Sequence, residues 1–129
     1  RARMLVRNMT LDEKLLLLHG PEEGNCCQCK DSAACAYVGN VAPIPRLGVP
    51  PITMNDGPQG FRDNQHLGTS TAWPSGLTMA ASFDVQAVRE WGEGMGKEFY
   101  DKGSNVQLGP GLCVARVPHN GRNFEYLAG

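Results

Sequence analysis

The sequence predicts an α/β fold, on three observations. A short apolar and β-branched run, Pro51-Ile52-Thr53-Met54, leads directly into the turn-like Asn55-Asp56-Gly57. A helical stripe of Val88, Trp91, Met95 and Phe99 comes next. Asn105-Val106-Gln107-Leu108 then reads as a second strand, stopped by Gly109-Pro110-Gly111. Strand, helix and strand in that order predict a βαβ unit and therefore a parallel sheet.

The chain has 129 residues, the size of one ordinary domain, and is 41% hydrophobic and 19% charged, enough apolar material for a core. Its first predicted element is a helix. Thr10 and Glu13 have the spacing of a capping box, and Leu11, Leu15 and Leu18 then share one face. Gly20 and Pro21 stop it, and a helical turn with Met4 and Leu5 precedes it. Residues 21 to 36 form a polar, Cys-rich loop. Pro43 to Pro50 holds too many prolines for a helix or a central strand and is expected to be extended.

Asp84 or Ser82 can cap the stripe helix, and Gly103 ends it. Gly92, Gly94 and Gly96 lie inside this helix, each at a cost of about 1 kcal/mol relative to Ala. Close packing against a sheet is the expected compensation. Beyond the second strand, Leu112 to Val117 is expected to be extended, and His119 to Gly129 to be a polar loop with aromatics.

Charge and apolar patterning exclude several classes. The formal net charge is −1 and basic residues are scattered, which argues against nucleic acid and anionic membranes. No apolar run is long enough to cross a bilayer, and no signal-peptide pattern opens the chain, which leaves the compartment open. Four of the five cysteines cluster as Cys26, Cys27, Cys29 and Cys35. Cys26-x-x-Cys29 is half of a zinc site, or a redox pair, but no second pair and no His pair completes a zinc set. Disulfides suit an exported protein. The preferred reading is a surface loop with free thiols.

Two constellations carry chemistry. Asn55-Asp56-Gly57-Pro58-Gln59-Gly60-Phe61-Arg62 puts a carboxylate just beyond a strand, at the edge where parallel α/β folds bind ligands. Asp56 can accept from two sugar hydroxyls, and Arg62 offers a planar fork of donors. Turn chemistry alone would also account for Asp-Gly-Pro. Asn120-Gly121-Arg122-Asn123-Phe124-Glu125-Tyr126 mixes donors, an acceptor and aromatic faces, which suits a polyhydroxylated ligand. A surface loop with an Arg122–Glu125 ion pair is the plainer alternative.

Taken with Met9 to Lys14, Pro43 to Gly48, Trp73 to Gly76 and Trp91 to Gly103, the stretches Asn55 to Asp63 and Asn105 to Tyr126 resemble, in order and spacing, the family 3 glycoside hydrolases of the β-glucosidase and β-xylosidase kind. The resemblance implies that residues 1–129 are the N-terminal portion of an incomplete TIM-type (β/α)8 barrel, with residues 22–36 a Cys-rich insertion of no assigned role. It implies retaining hydrolysis of β-linked glucosides, with β-xylosides as the alternative. Asp56, Arg62 and Arg122 match sugar-binding residues of the subsite where cleavage occurs. Glu125 is expected to be a structural partner of an arginine. The family's nucleophile Asp and acid/base Glu lie in regions this sequence does not include, so the chain alone is expected to be inactive and supplies no catalytic residue. The expected partner is a β-glucoside or oligosaccharide, with no nucleic acid, no membrane and no metal or organic cofactor. A short non-catalytic carbohydrate-binding or interaction protein is the rival reading. His119 falls where many family members carry a basic residue. Like His19 and His66, it reads as a surface residue. Trp73 and Trp91 read as core rather than as sugar platforms.

Overall fold

The computed structural model describes residues 1–19, 37–63, 66 and 68–128, in two compact units, Arg1–Met54 and Asn55–Gly129. The Cys-rich segment and the Gly20-Pro21 stop lie outside the described residues.

The first unit opens with two helices, α1 (Ala2–Asn8) and α2 (Leu11–His19). Met9, buried and extended, separates them. The capping box is formed. Glu13 Oε2 accepts from the Thr10 backbone N–H at 2.9 Å, and Thr10 Oγ1 accepts from the Glu13 N–H at 3.2 Å. The face that Leu11, Leu15 and Leu18 share is open, with all three exposed. A cap is satisfied locally, whereas burial needs a partner surface.

The proline segment is not simply extended. Ile44 and Val49 form an antiparallel bridge around a 3₁₀ turn, Pro45–Leu47, which Gly48 closes at φ 63°. Pro45 supplies a φ suited to the start of that turn. Val41 bridges Ile52 in the same way, and Val41 and Ile44 join Met9 in the buried set.

The first strand sits later than expected. β1 is Met54–Asp56, not residues 51–54, so the apparent turn residues Asn55 and Asp56 belong to the strand itself. Two adjacent prolines, Pro50 and Pro51, cannot donate to a ladder, which pushes regular pairing downstream. Within the second unit α3 (Gly76–Ala81) was not anticipated. Its cap is Ser75, whose Oγ accepts from the Thr78 N–H at 3.2 Å. Phe83, at φ 52°, joins α3 to the next helix, an uncommon conformation for a bulky side chain.

Helix α4 (Val85–Asp101) follows the sequence closely. Asp84 Oδ1 accepts from the N–H groups of Gln86 and Ala87, each at 3.0 Å. Trp91, Met95 and Phe99 are buried on one face. Gly103, at φ 81°, receives the end of the helix through its N–H to Tyr100 O. The glycine expectation needs correction. Gly92 and Gly96 have open space where a Cβ would stand, and only Gly94 is crowded, by the Trp73 indole rather than by a sheet.

Strand β2 (Val106–Leu108) pairs with β1, so the expected strand–helix–strand order is present. β3 (Gly111–Val114) pairs in parallel with β4 (Tyr126–Ala128), with an irregular register between Gly111 and Val114. β4 and the 3₁₀ turn before it, Asn123–Glu125, correct the expectation of a polar loop at 119–129. Among the described residues no helix is long and apolar enough to cross a membrane.

Candidate functional site

Side chains alternate along β1. Asn55 is fully buried, and its neighbour Asp56 is directed the other way, with its side chain 43% exposed. The Asn55 amide Nδ2 donates to the Arg62 carbonyl at 3.0 Å, which closes the loop from Asn55 to Arg62 on itself. Gln107, the middle residue of β2, donates through Nε2 to Gly57 O at 3.0 Å. The turn can be this tight only with glycine at its corner. A Cβ on Gly57 would stand 2.0 Å from Gly60 O and 2.5 Å from the Phe99 ring. Gly60, at φ 126°, would meet Thr71 O at 2.4 Å.

Phe61 roots the far end of the loop in the core, edge-on to Phe99 with ring centroids 5.3 Å apart. Arg62 then turns outward. Its Nη1 donates to Asp56 Oδ2 at 3.2 Å, the one side-chain hydrogen bond between them. Among the described residues, the rest of the guanidinium fork and the second Asp56 oxygen make no further side-chain hydrogen bond.

Residues 70–72 form another part of the wall, and Glu98 of α4 holds this segment through Thr71 and Trp73. Glu98 accepts from the Thr71 N–H at 2.9 Å and from Trp73 Nε1 at 3.1 Å, while the Trp73 N–H donates to Gln59 O at 3.0 Å. The result is a cleft of about 420 Å³ that includes Asp56, Phe61, Arg62, Ser70, Phe124 and Glu125 in its lining.

Arg122 does not line the cleft, but it is tied to a residue that does. Its Nε and Nη2 donate to Glu125 Oε1 and Oε2, each at 2.9 Å, a bidentate pair. Glu125 holds the Arg122 pKa above its ordinary value, and Asp56 adds a smaller contribution of the same sign. Glu125 is shielded, at 19% exposed, while Arg122 is largely open. The structure thus brings Asp56 and Arg62 together directly and attaches Arg122 through Glu125.

Phe124, part of the second constellation, enters the cleft. Other contributors were not found from the sequence. Ser70 to Ala72 enter the cleft, and Gln107, Glu98, Asp63 and Lys102 support it. Glu98 did carry a signal. It stands one turn after Gly94 beside the apolar stripe, where a half-buried carboxylate requires partners. His119 and His66 are exposed, as expected, and Trp91 is core. Trp73 is only half-buried. Cys113 is an exposed free thiol beside a smaller pocket lined by residues that include Arg116, Asn120 and Tyr126.

Residues 25–126 match the model of the glycosyl hydrolase family 3 N terminal domain. Beta-glucosidase A of Aspergillus kawachii is 39% identical over 127 residues, which is 97% of this chain and 13% of that protein. Among solved structures, DesR, a β-glucosidase from Streptomyces venezuelae in complex with D-glucose, superposes with a TM-score of 0.82 at 35% identity, covering 98% of this chain and 15% of that one. β-Glucosidase 3B from Thermotoga neapolitana, in complex with α-D-glucose, gives a TM-score of 0.82 at 31% identity, covering 96% and 18%. The chain therefore spans less than a fifth of the length of each of these proteins.

Proposed function

The chain belongs to glycosyl hydrolase family 3 through its N-terminal domain, and on that premise we propose that it supplies part of the sugar-binding subsite of an enzyme that hydrolyses β-linked glucosides. Its α/β elements are the opening part of a TIM-type barrel whose strands deliver binding residues at their C-terminal ends. The observation that carries the reading is the Asp56–Arg62 pair at the end of β1, each member with hydrogen-bonding capacity to spare, in an open cleft of about 420 Å³.

In this reading Asp56 accepts hydrogen bonds from two neighbouring sugar hydroxyls. Arg62 neutralises it and donates to a third oxygen. Arg122, held by Glu125, adds its charge beside the same subsite. Binding of this kind fixes the sugar ring so that its anomeric carbon meets groups from elsewhere in the protein. A retaining mechanism uses two carboxyl groups about 5–5.5 Å apart, one attacking the anomeric carbon and one protonating the leaving oxygen. In this reading Asp56 holds hydroxyls and Glu125 holds Arg122, and neither is assigned the attacking or the protonating role. The relatives named above are all β-glucosidases, which disfavours the β-xyloside alternative.

The test is hydrolysis of a chromogenic aryl β-glucoside by the complete gene product, wild type beside Asp56→Ala. Activity in the wild type that disappears in the variant supports the reading. A folded wild type that hydrolyses no aryl β-glucoside overturns it.

A further inference from the structure

Asp63 follows Arg62 directly, and its carboxylate is only 7% exposed. A carboxylate so shielded stays ionised only with partners at both oxygens. Lys102 Nζ donates to Asp63 Oδ2 at 3.1 Å and to Thr69 Oγ1 at 3.0 Å. The Thr69 hydroxyl lies 3.3 Å from the same Oδ2. The His66 backbone N–H donates to Oδ1 at 2.8 Å, and His66 Nδ1 lies 3.4 Å from that oxygen.

Lys102 also stands 5.4 Å from the centroid of the Phe61 ring, within cation–π range. One ammonium group therefore grips both neighbours of Arg62. It meets Phe61 through the ring and Asp63 through an ion pair. Arg62 itself is more than half exposed and makes a single bond to Asp56, so its own side-chain contacts do little to fix it. The grip comes from the end of α4, whose backbone is closed independently by Lys102 N–H to Glu98 O and Gly103 N–H to Tyr100 O.

We propose that Lys102 is a positioning residue, which clamps Phe61 and Asp63 and thereby aims the Arg62 guanidinium into the cleft. The functional half of this inference rests on the cleft being a sugar subsite. The mechanical half does not. Neither Lys102 nor Asp63 lines the cleft, so the effect passes through the backbone of residue 62.

The experiment is amide hydrogen exchange and steady-state kinetics on the complete gene product, comparing wild type, Lys102→Met, Lys102→Arg and the double variant Asp63→Asn with Lys102→Gln. In Lys102→Met, exchange at residues 60–63 should rise by about tenfold or more while residues 91–99 of α4 keep their protection. KM for an aryl β-glucoside should rise about tenfold with kcat within about twofold, the signature of lost binding rather than lost chemistry. Lys102→Arg should restore most of both. The double variant leaves no buried orphan charge, so it keeps the test open if Lys102→Met does not fold, and it should show the same loosened loop. Unchanged exchange at 60–63, or an equal loss across α4, overturns the clamp. Faster exchange with unchanged KM overturns its functional half. A wild type without glucosidase activity overturns the proposed function instead, and the exchange data still decide the clamp.

Discussion

Arg62 and Arg122 both face a carboxylate, but the two pairs are built differently. Arg122 meets Glu125 through two parallel bonds, and the shielded carboxylate has no oxygen to spare from them. Arg62 meets Asp56 through one longer bond, with both side chains about half exposed. The first geometry spends the carboxylate on holding an arginine. The second leaves both partners with capacity for something else. Equivalent residue types a short distance apart therefore read as a brace in one loop and as a binding group in the other.

The comparison can be broken from either side. The largest effect belongs to the open pair. Asp56→Ala should reduce kcat/KM for an aryl β-glucoside by about a hundredfold or more, since a carboxylate holding two hydroxyls contributes roughly 3 kcal/mol or more. A drop below about fivefold would mean that Asp56 is turn chemistry rather than a ligand-binding group. The brace should matter less. Glu125→Gln keeps one acceptor oxygen but releases the fork, and should cost about tenfold in kcat/KM, mostly through KM. A loss as large as that of Asp56→Ala would show that Glu125 touches the substrate itself.

The smallest effect comes from a third pair, remote in sequence. Arg46 donates to both oxygens of Glu13 and to Asn8 O. Chiefly through that bond to Arg46, and next through the Thr10 N–H, Glu13 is held below its ordinary value of 4.5. A depressed carboxyl contributes stability that is present above pH 4.5 and lost as pH falls through the folded-state value. Arg46→Ala should therefore lower Tm slightly at pH 7 and flatten its decline between about pH 5 and 3. Parallel acid profiles for the two proteins would remove Arg46 from the account of Glu13.

These pairs also mark how far the sequence could be read. Features settled within a few residues were legible. They include the Thr10–Glu13 box, the Asp84 cap, the Trp91–Met95–Phe99 stripe, the Gly103 stop, and Asp56 with Arg62 around a glycine turn. Features settled by a distant partner were not. Arg46 sits in a proline segment with nothing local to predict its reach to Glu13. β4 lies in a stretch of polar and aromatic residues because β3 offers a parallel edge to Tyr126. β1 begins three residues late because ladder pairing starts beyond the prolines. The α2 leucines show the opposite case, a helical pattern with the right period whose face stays exposed among the described residues. Gly92 and Gly96 carry a helix cost for which no described contact compensates.

Trp73 gives the molecule one more property. Its indole is pinned at Nε1 by Glu98, its far edge presses on Gly94, and its Cδ1 lies 3.0 Å from where a Cβ on Gly60 would stand. The residue beside it, Ala72, lines the cleft. The chain's other tryptophan, Trp91, is buried and lines nothing of the kind. The protein thus carries two intrinsic fluorophores in different settings, one packed behind the wall of the cleft and one enclosed in the core. If the cleft takes a sugar as proposed, emission from the first is expected to change on binding while that of the second stays constant, which a dye-free fluorescence titration would check.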